Sequence, residues 1–217
     1  MGIKVITTLL STALQNYDLT TIDEVKDELS ILDNSKDATL KRYITSASAA
    51  ASQYCNRKFQ AEQLQDEFWP DREPFQYTLP GGVDVLQLSR WPVIAPIISV
   101  VENGIALVEN TDFRVNYDTG TLIRLDSLNF YPRKWAAWPI VAKFVGGFAD
   151  IPEDIEDAII RMVTRRYASK GRDPNLKQQS IPGVIEQQFW ISTGTESGNF
   201  ANDIADVLNS YRVPVSV

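Results

Sequence analysis

Asp66, Glu67, Asp71 and Glu73 crowd one short stretch beside Trp69 and Phe75. Paired carboxylates next to aromatic platforms are the equipment of glycoside hydrolysis, in which two acids about 5–9 Å apart flank the scissile bond. The same stretch contains Pro70 and Pro74, and a solvated acidic loop accounts for its composition without any chemistry. A second acidic group, Asp150, Glu153, Asp154 and Asp157, could suggest a cation site. It lacks the alternating ligand spacing and the mid-loop glycine of a calcium loop. It does stand where a helix begins, and carboxylates there interact favourably with the helix dipole. Gly81-Gly82 and Gly146-Gly147 lack the Lys-Ser/Thr that follows a phosphate loop, so they read as turns.

The 217 residues include no histidine and one cysteine, Cys55. Ser-His-Asp and Cys-His catalysis are therefore excluded, as is a histidine-ligated zinc site. A single cysteine builds neither a thiolate metal site nor a disulfide within the chain. Cys55 falls at apolar spacing in an Ala/Ser-rich run, which suits a buried thiol that packs and does not react. The expectation is a chain with no catalytic residue, no cofactor and no metal.

Trp135 and Trp138 accompany Tyr131, Pro132, Arg133 and Lys134. Aromatics between cations can stack nucleic-acid bases. Yet 28 acidic residues outnumber 21 basic ones, for a net charge of −7. Gripping DNA requires cations that replace its counterions, whereas an acidic wall lets the polymer slide past. The two tryptophans are better read as core packing or as an inter-subunit anchor, since Trp, Tyr and Arg favour interface centres.

These residues need elements to hold them. The N-terminal stretch reads as mature sequence, with no signal peptide and no run long enough to span a bilayer. Residues 1–19 lack clear periodicity and suit a short helix or an arm. Thr21 and Glu24 form a capping box for a helix over Ile22–Leu29. Ser35 or Asp37 caps a longer helix running to Asn56, with Leu40, Tyr43, Ile44, Ala47, Ala51, Tyr54 and Cys55 on its apolar face. The small residues 46–52 allow close approach, either of another helix of the same chain or of a neighbouring subunit.

From about Leu64 to Gly147 the period changes to two. Strands are expected over Val83–Leu88, Ile97–Val101, Ile105–Val108, Phe113–Tyr117, Thr121–Leu125 and Ile140–Val145, with Asn103-Gly104 as a tight hairpin. Pro152 then opens a helix with Ile155, Ala158, Ile159, Met162, Val163 and Tyr167 as its stripe, and Gly171 stops it. Residues 172–201 read as a loop with one hairpin across Val184–Ile191. Asp203–Tyr211 reads as a last helix, followed by the apolar tail Arg212–Val217.

The predicted class is α+β. A helical bundle, built from the N-terminal helices plus helix 152–170, carries an inserted small antiparallel sheet or sandwich and an extended C-terminal tail. The expected divisions are a helical core at 1–60 and 150–171, a β-rich insertion at 64–147, and a loop, short helix and docking tail at 172–217.

Four segments carry a resemblance to a known family. They are the helix Asp37–Arg57 running into Lys58-Phe59; Arg90-Trp91-Pro92-Val93 with Ile98–Val101 and Asn103-Gly104; Lys143–Phe148 leading through Ile151-Pro152 to Ile159 and Tyr167; and the ending Leu208–Arg212. Together they resemble the head–tail connector (adaptor) proteins of tailed phages and gene-transfer particles, in the long form with a β insertion. The resemblance implies a structural, non-enzymatic protein of the virion neck, assembled in the host cytoplasm. It implies a homo-oligomeric ring, a dodecamer, docked on a portal protein, with a stopper or tail terminator on the tail side. Genome DNA would pass through without sequence-specific binding, and no membrane is involved. Family tails insert into the portal, which nominates Ile204, Val207, Leu208, Tyr211, Arg212, Val213 and Val215 for portal docking. Ala47, Ala51, Trp135 and Trp138 are nominated for inter-subunit contact. The alternatives are another neck or tail component, such as a stopper or tail terminator, or a soluble ligand-binding domain.

Overall fold

The computed structural model describes residues 3–12, 14, 16–70, 85–135, 137–170, 178–181, 185–188 and 200–214. The elements run β1 (Ile3–Leu9), α1 (Ile22–Leu29), α2 (Asp37–Tyr54), β2 (Glu62–Pro70), β3 (Val85–Gln87), β4 (Val93–Glu102), β5 (Ile105–Leu107), β6 (Phe113–Asn116), β7 (Thr121–Leu125), β8 (Pro132–Arg133), β9 (Ile140–Gly146), α3 (Glu153–Ala168), β10 (Gln178–Ile181), β11 (Ile185–Gln188) and α4 (Asn202–Ser210). The architecture is mixed α+β with antiparallel sheets. The chain divides into a β-rich unit, residues 1–15 and 58–150, and a helical unit, residues 16–57 and 151–217.

The β-rich unit has a five-stranded sheet in the order β1-β2-β9-β4-β5 and a second sheet in the order β3-β7-β6, with β8 also on β7. Alternation decides which side chains go inward. Leu64 and Phe68 of β2, Ile140, Ala142 and Phe144 of β9, and Val93 and Val100 of β4 share one buried cluster with Leu86, Phe113 and Leu122 of the second sheet. At the β4–β5 turn Asn103 and Gly104 both have positive φ, 46° and 82°, and Glu102 pairs with Ile105 as a two-residue hairpin requires. Pro96 falls where the β4–β9 register shifts between Ile94 and Ser99, a place where a missing N–H costs the ladder nothing.

Gly147 closes the sheet under strict geometry. Its φ is +119°, and a Cβ there would lie 2.3 Å from the Gln60 carbonyl oxygen. Its N–H donates to Pro92 O at 2.8 Å, and the next N–H, of Phe148, donates to Phe59 O at 2.7 Å.

In the helical unit α3 packs against each of the other three helices. Thr21 caps α1, its hydroxyl accepting from Glu24 N at 3.3 Å. The stripes Leu40, Tyr43, Ile44, Ala47 and Ala51 of α2, Ile155, Ala158, Ile159 and Val163 of α3, and Ile204, Ala205 and Leu208 of α4 are all buried. The Ser48 hydroxyl, buried among them, accepts from Leu19 N at 3.0 Å.

Several expectations need correction. Residues 3–9 are neither a helix nor part of the helical core: β1 pairs along β2, from Ile3 opposite Pro70 to Leu9 opposite Leu64. That pairing spans some sixty residues of sequence, so no local pattern announces it. Neither Ser35 nor Asp37 caps α2; Lys36 occupies the cap without a side-chain bond, and Ser35 instead bonds Asp33. The last helix is not set apart from the helical core, because α4 belongs to the helical unit and packs against α3. Within the expected loop 172–201, β10 and β11 pair as a hairpin whose first strand precedes the predicted span.

Candidate functional site

The acidic stretch does not form a solvated loop where it is described. Asp66 is 0% exposed on the inner face of β2. It accepts from the Thr7 hydroxyl at 2.7 Å, the Ser89 hydroxyl at 2.7 Å and the Ser89 N–H at 2.7 Å. A carboxylate so enclosed joins β1, β2 and the start of the 89–92 turn, and offers no face to a substrate. Glu67 points to the other face, near Gln65. Asp71, Glu73 and Phe75 lie outside the described residues. So do Gly81 and Gly82.

Three acids at the start of α3 are engaged within the helical unit. Asp154 accepts from the Tyr211 hydroxyl at 2.9 Å and Glu156 from the Thr20 hydroxyl at 2.9 Å. Asp157 pairs with Arg161 one turn on, at 2.6 Å. Among the described residues no group of acids and cysteine is arranged to hold a metal.

Cys55 is fully buried, and burial pushes its thiol up to about 11. A thiol held protonated is a poor nucleophile. Its Sγ–H points at Leu208 O, 3.4 Å away. Around it the end of α2 grips the terminal helix. Tyr54 Oη donates to Asn209 Oδ1 at 2.7 Å, its ring meets Phe200 edge-on at 5.1 Å, and the Arg212 guanidinium lies 5.3 Å from its centroid. Val213 N donates to Cys55 O at 2.9 Å. Burial, with the bond to Asp154 next, raises the Tyr211 hydroxyl to about 12.

The residues nominated for portal docking therefore divide. Ile204 and Leu208 are buried in the chain's own helical unit. Val207, Tyr211 and Val213 are half-buried and Arg212 is exposed. Val215 lies outside the described residues. The inter-subunit nominees divide likewise. Ala47 and Ala51 are buried by neighbouring helices, and Trp135 fills the core of the β-rich unit with its Nε1–H directed at Leu122 O, 3.4 Å away. Trp138 is half-buried against the same core.

Two features escaped the sequence reading. Beside the buried α2 stripe, α2 and α3 leave a groove of about 560 Å³. Ala47, Ala50, Met162 and Val163 line it, with the Tyr43, Tyr54 and Phe200 rings and Arg166. Small residues on α2 create the depth, so the Ala/Ser run was its sequence signal. The Arg166 guanidinium lies 4.4 Å from the Tyr43 ring centroid and bonds Ser46 at 3.0 Å.

The second feature is the turn between β7 and β8, where Leu128 is 93%, Phe130 51% and Tyr131 71% exposed. Asp126 followed by Asn129 was its legible signal, because both side chains fold back on their own backbone. The strand beneath it is fixed by a buried ion cluster: Arg124 Nε donates to Glu102 at 2.8 Å, and its Nη1 bonds Leu125 O at 3.0 Å and also Asp112 O. Arg133 reaches Glu102 at 3.7 Å.

No curated protein matches the chain. Residues 19–79 match the family described as phage gp6-like head-tail connector protein, a span that takes in α1, α2 and β2. Solved structures match along nearly the whole chain. A chain from the neck of an empty gene transfer agent (GTA) particle, computed with C6 symmetry, aligns at TM-score 0.51 with 14% identity, covering 98% of this chain and 97% of that one. One from the neck of the native GTA particle, computed with C12 symmetry, aligns at 0.50 with 14% identity and the same coverage. A chain of the native gene transfer agent virion aligns at 0.50 with 15% identity. By sequence over its first two helices, and by fold over nearly its whole length, the chain is similar to the head–tail connector family and to chains of a gene transfer agent neck.

Proposed function

We propose that this protein is a structural head–tail adaptor: copies form a ring under the portal of a tailed-phage-like particle, join capsid to tail, and leave an opening for the genome. The observation that carries the reading is the coincidence of two independent likenesses. The family pattern covers the paired helices α1 and α2, while the fold of neck chains extends through the β-rich insertion and the terminal helix. The chain's chemistry is consistent with a role made of contacts alone. It has no histidine and a single buried thiol, and Asp66, Asp154, Glu156 and Asp157 are held by their own neighbours. A net charge of −7 per copy suits a channel wall that DNA passes without adhering.

The finer parts of the proposal are a dodecameric ring, a helical bundle as the core of each copy, a stopper or tail terminator on the tail side, and assembly in the host cytoplasm. Portal docking falls to Val207 of α4 and to Tyr211, Arg212 and Val213 after it, which are half-buried or exposed, together with Val215. Ile204 and Leu208 serve this surface indirectly, by holding α4 in place. Electron microscopy of the chain mixed with the particle's portal tests the function. A ring of this protein beneath the portal is the expected result. A purified particle whose neck lacks the polypeptide would refute it.

A further inference from the structure

The turn Ser127–Tyr131 holds three large apolar side chains in water and spends many hydrogen bonds doing so. Asp126 Oδ1 accepts from Leu128 N at 2.9 Å and Asn129 N at 3.3 Å, and Asn129 Oδ1 accepts from Tyr131 N at 3.1 Å. Across the neck of the turn Asp126 N donates to Tyr131 O and Phe130 N to Asp126 O, at 2.9 and 2.8 Å. Ser127 Oγ bonds Asp112 at 2.8 Å. Phe130 takes a φ of +58°, an uncommon conformation for a bulky residue. Folding stability alone favours burying Leu, Phe and Tyr. A turn locked so as to present them is preorganised for a contact, and aromatic anchors on rigid backbone are the common form of an interface hot spot.

An apolar knob needs an apolar hole. The α2–α3 groove is a hole of fitting character, and its volume lies in the range of sites that enclose such groups. Charge supports the match: Asp126 stands at the base of the knob, and Arg166 at the wall of the groove. The knob is too exposed to be seated in its own chain. Knob and groove are different patches on different compact units, so a joint between them is head-to-tail, the kind that closes rings when its rotation allows.

We infer that Leu128, Phe130 and Tyr131 of one copy seat in the α2–α3 groove of the next copy, lined by Ala50, Tyr54 and Arg166. The inference rests on the ring reading and specifies its joint. The test uses two full-length chains, Phe130→Cys and Ala50→Cys, mixed under mild oxidation; the native Cys55 is buried and does not compete. A disulfide-linked pair at least tenfold more abundant in the mixture than with either chain alone is expected. Equal yields from single chains, or no cross-link at any chain concentration, would overturn the joint. Electron microscopy of the unmodified chain on a portal separates the two ideas. Rings without the cross-link retire the joint and keep the adaptor, whereas no ring at all removes both.

Discussion

The Val213 N–H donates to the Cys55 carbonyl at 2.9 Å, and this bond ties the C-terminal segment to the end of α2. Up to Val213 the chain is held to its own helical unit: α4 packs Ile204, Ala205 and Leu208 inward. Pro214, one residue beyond the tie, is exposed and open to a partner.

The consequence for truncation is specific. Removing Pro214–Val217 should leave the thermal unfolding midpoint unchanged while reducing portal binding. Leu208→Ala, by contrast, should destabilise the protein by about 2–5 kcal/mol, as deletions of fully buried leucine do. Denaturant melts of both variants, with portal pull-down, check the pair.

Alkali should loosen the same region. Tyr211 and Cys55 both have folded pKa values above their ordinary ones, about 12 and about 11. A raised folded value means that the neutral form is favoured by folding. The contribution is complete below the ordinary values, near 9 for the thiol and 10 for the phenol, and is lost as pH rises through 11 and 12. Urea melts from pH 8 to 12 should show stability falling from about pH 9. Tyr211→Phe should remove the upper part of that fall.

The ion cluster under the knob should be asymmetric to mutation. Arg124→Ala leaves the buried Glu102 with only the more distant Arg133, 3.7 Å away, as its cation, and should cost up to about 3–5 kcal/mol. The double change Arg124→Met with Glu102→Gln removes both charges and should cost less than the single one. Equilibrium unfolding of the single and double variants decides this, and equal losses would mean that burial of Glu102 is not the penalty.

Gly147→Ala should destabilise the protein by about 2 kcal/mol or more, since the new Cβ would both oppose a left-handed φ and strike the Gln60 carbonyl. Gly104→Ala has strain but no clash, so its loss should be smaller. Thermal melts rank the two.

Where information was local, it was legible. The Thr21 cap, the Asn103-Gly104 hairpin, the stripes of α2 and α3 and the pair β6–β7 follow from spacing and turn chemistry, because each is decided by residues a few positions apart. Composition alone excluded histidine-dependent catalysis, the Cys-His pair included. Tertiary structure decided the rest. Asp66 became a buried acceptor because Thr7 and Ser89 arrive from remote strands. Residues 3–9 became an edge strand because β2 was available to pair. The Ala/Ser run became the floor of a groove because α3 packs beside part of it and leaves the remainder open. Each depends on contacts between segments far apart in sequence, and the energy of such contacts is fixed by where the backbone brings them, which no short window of residues records.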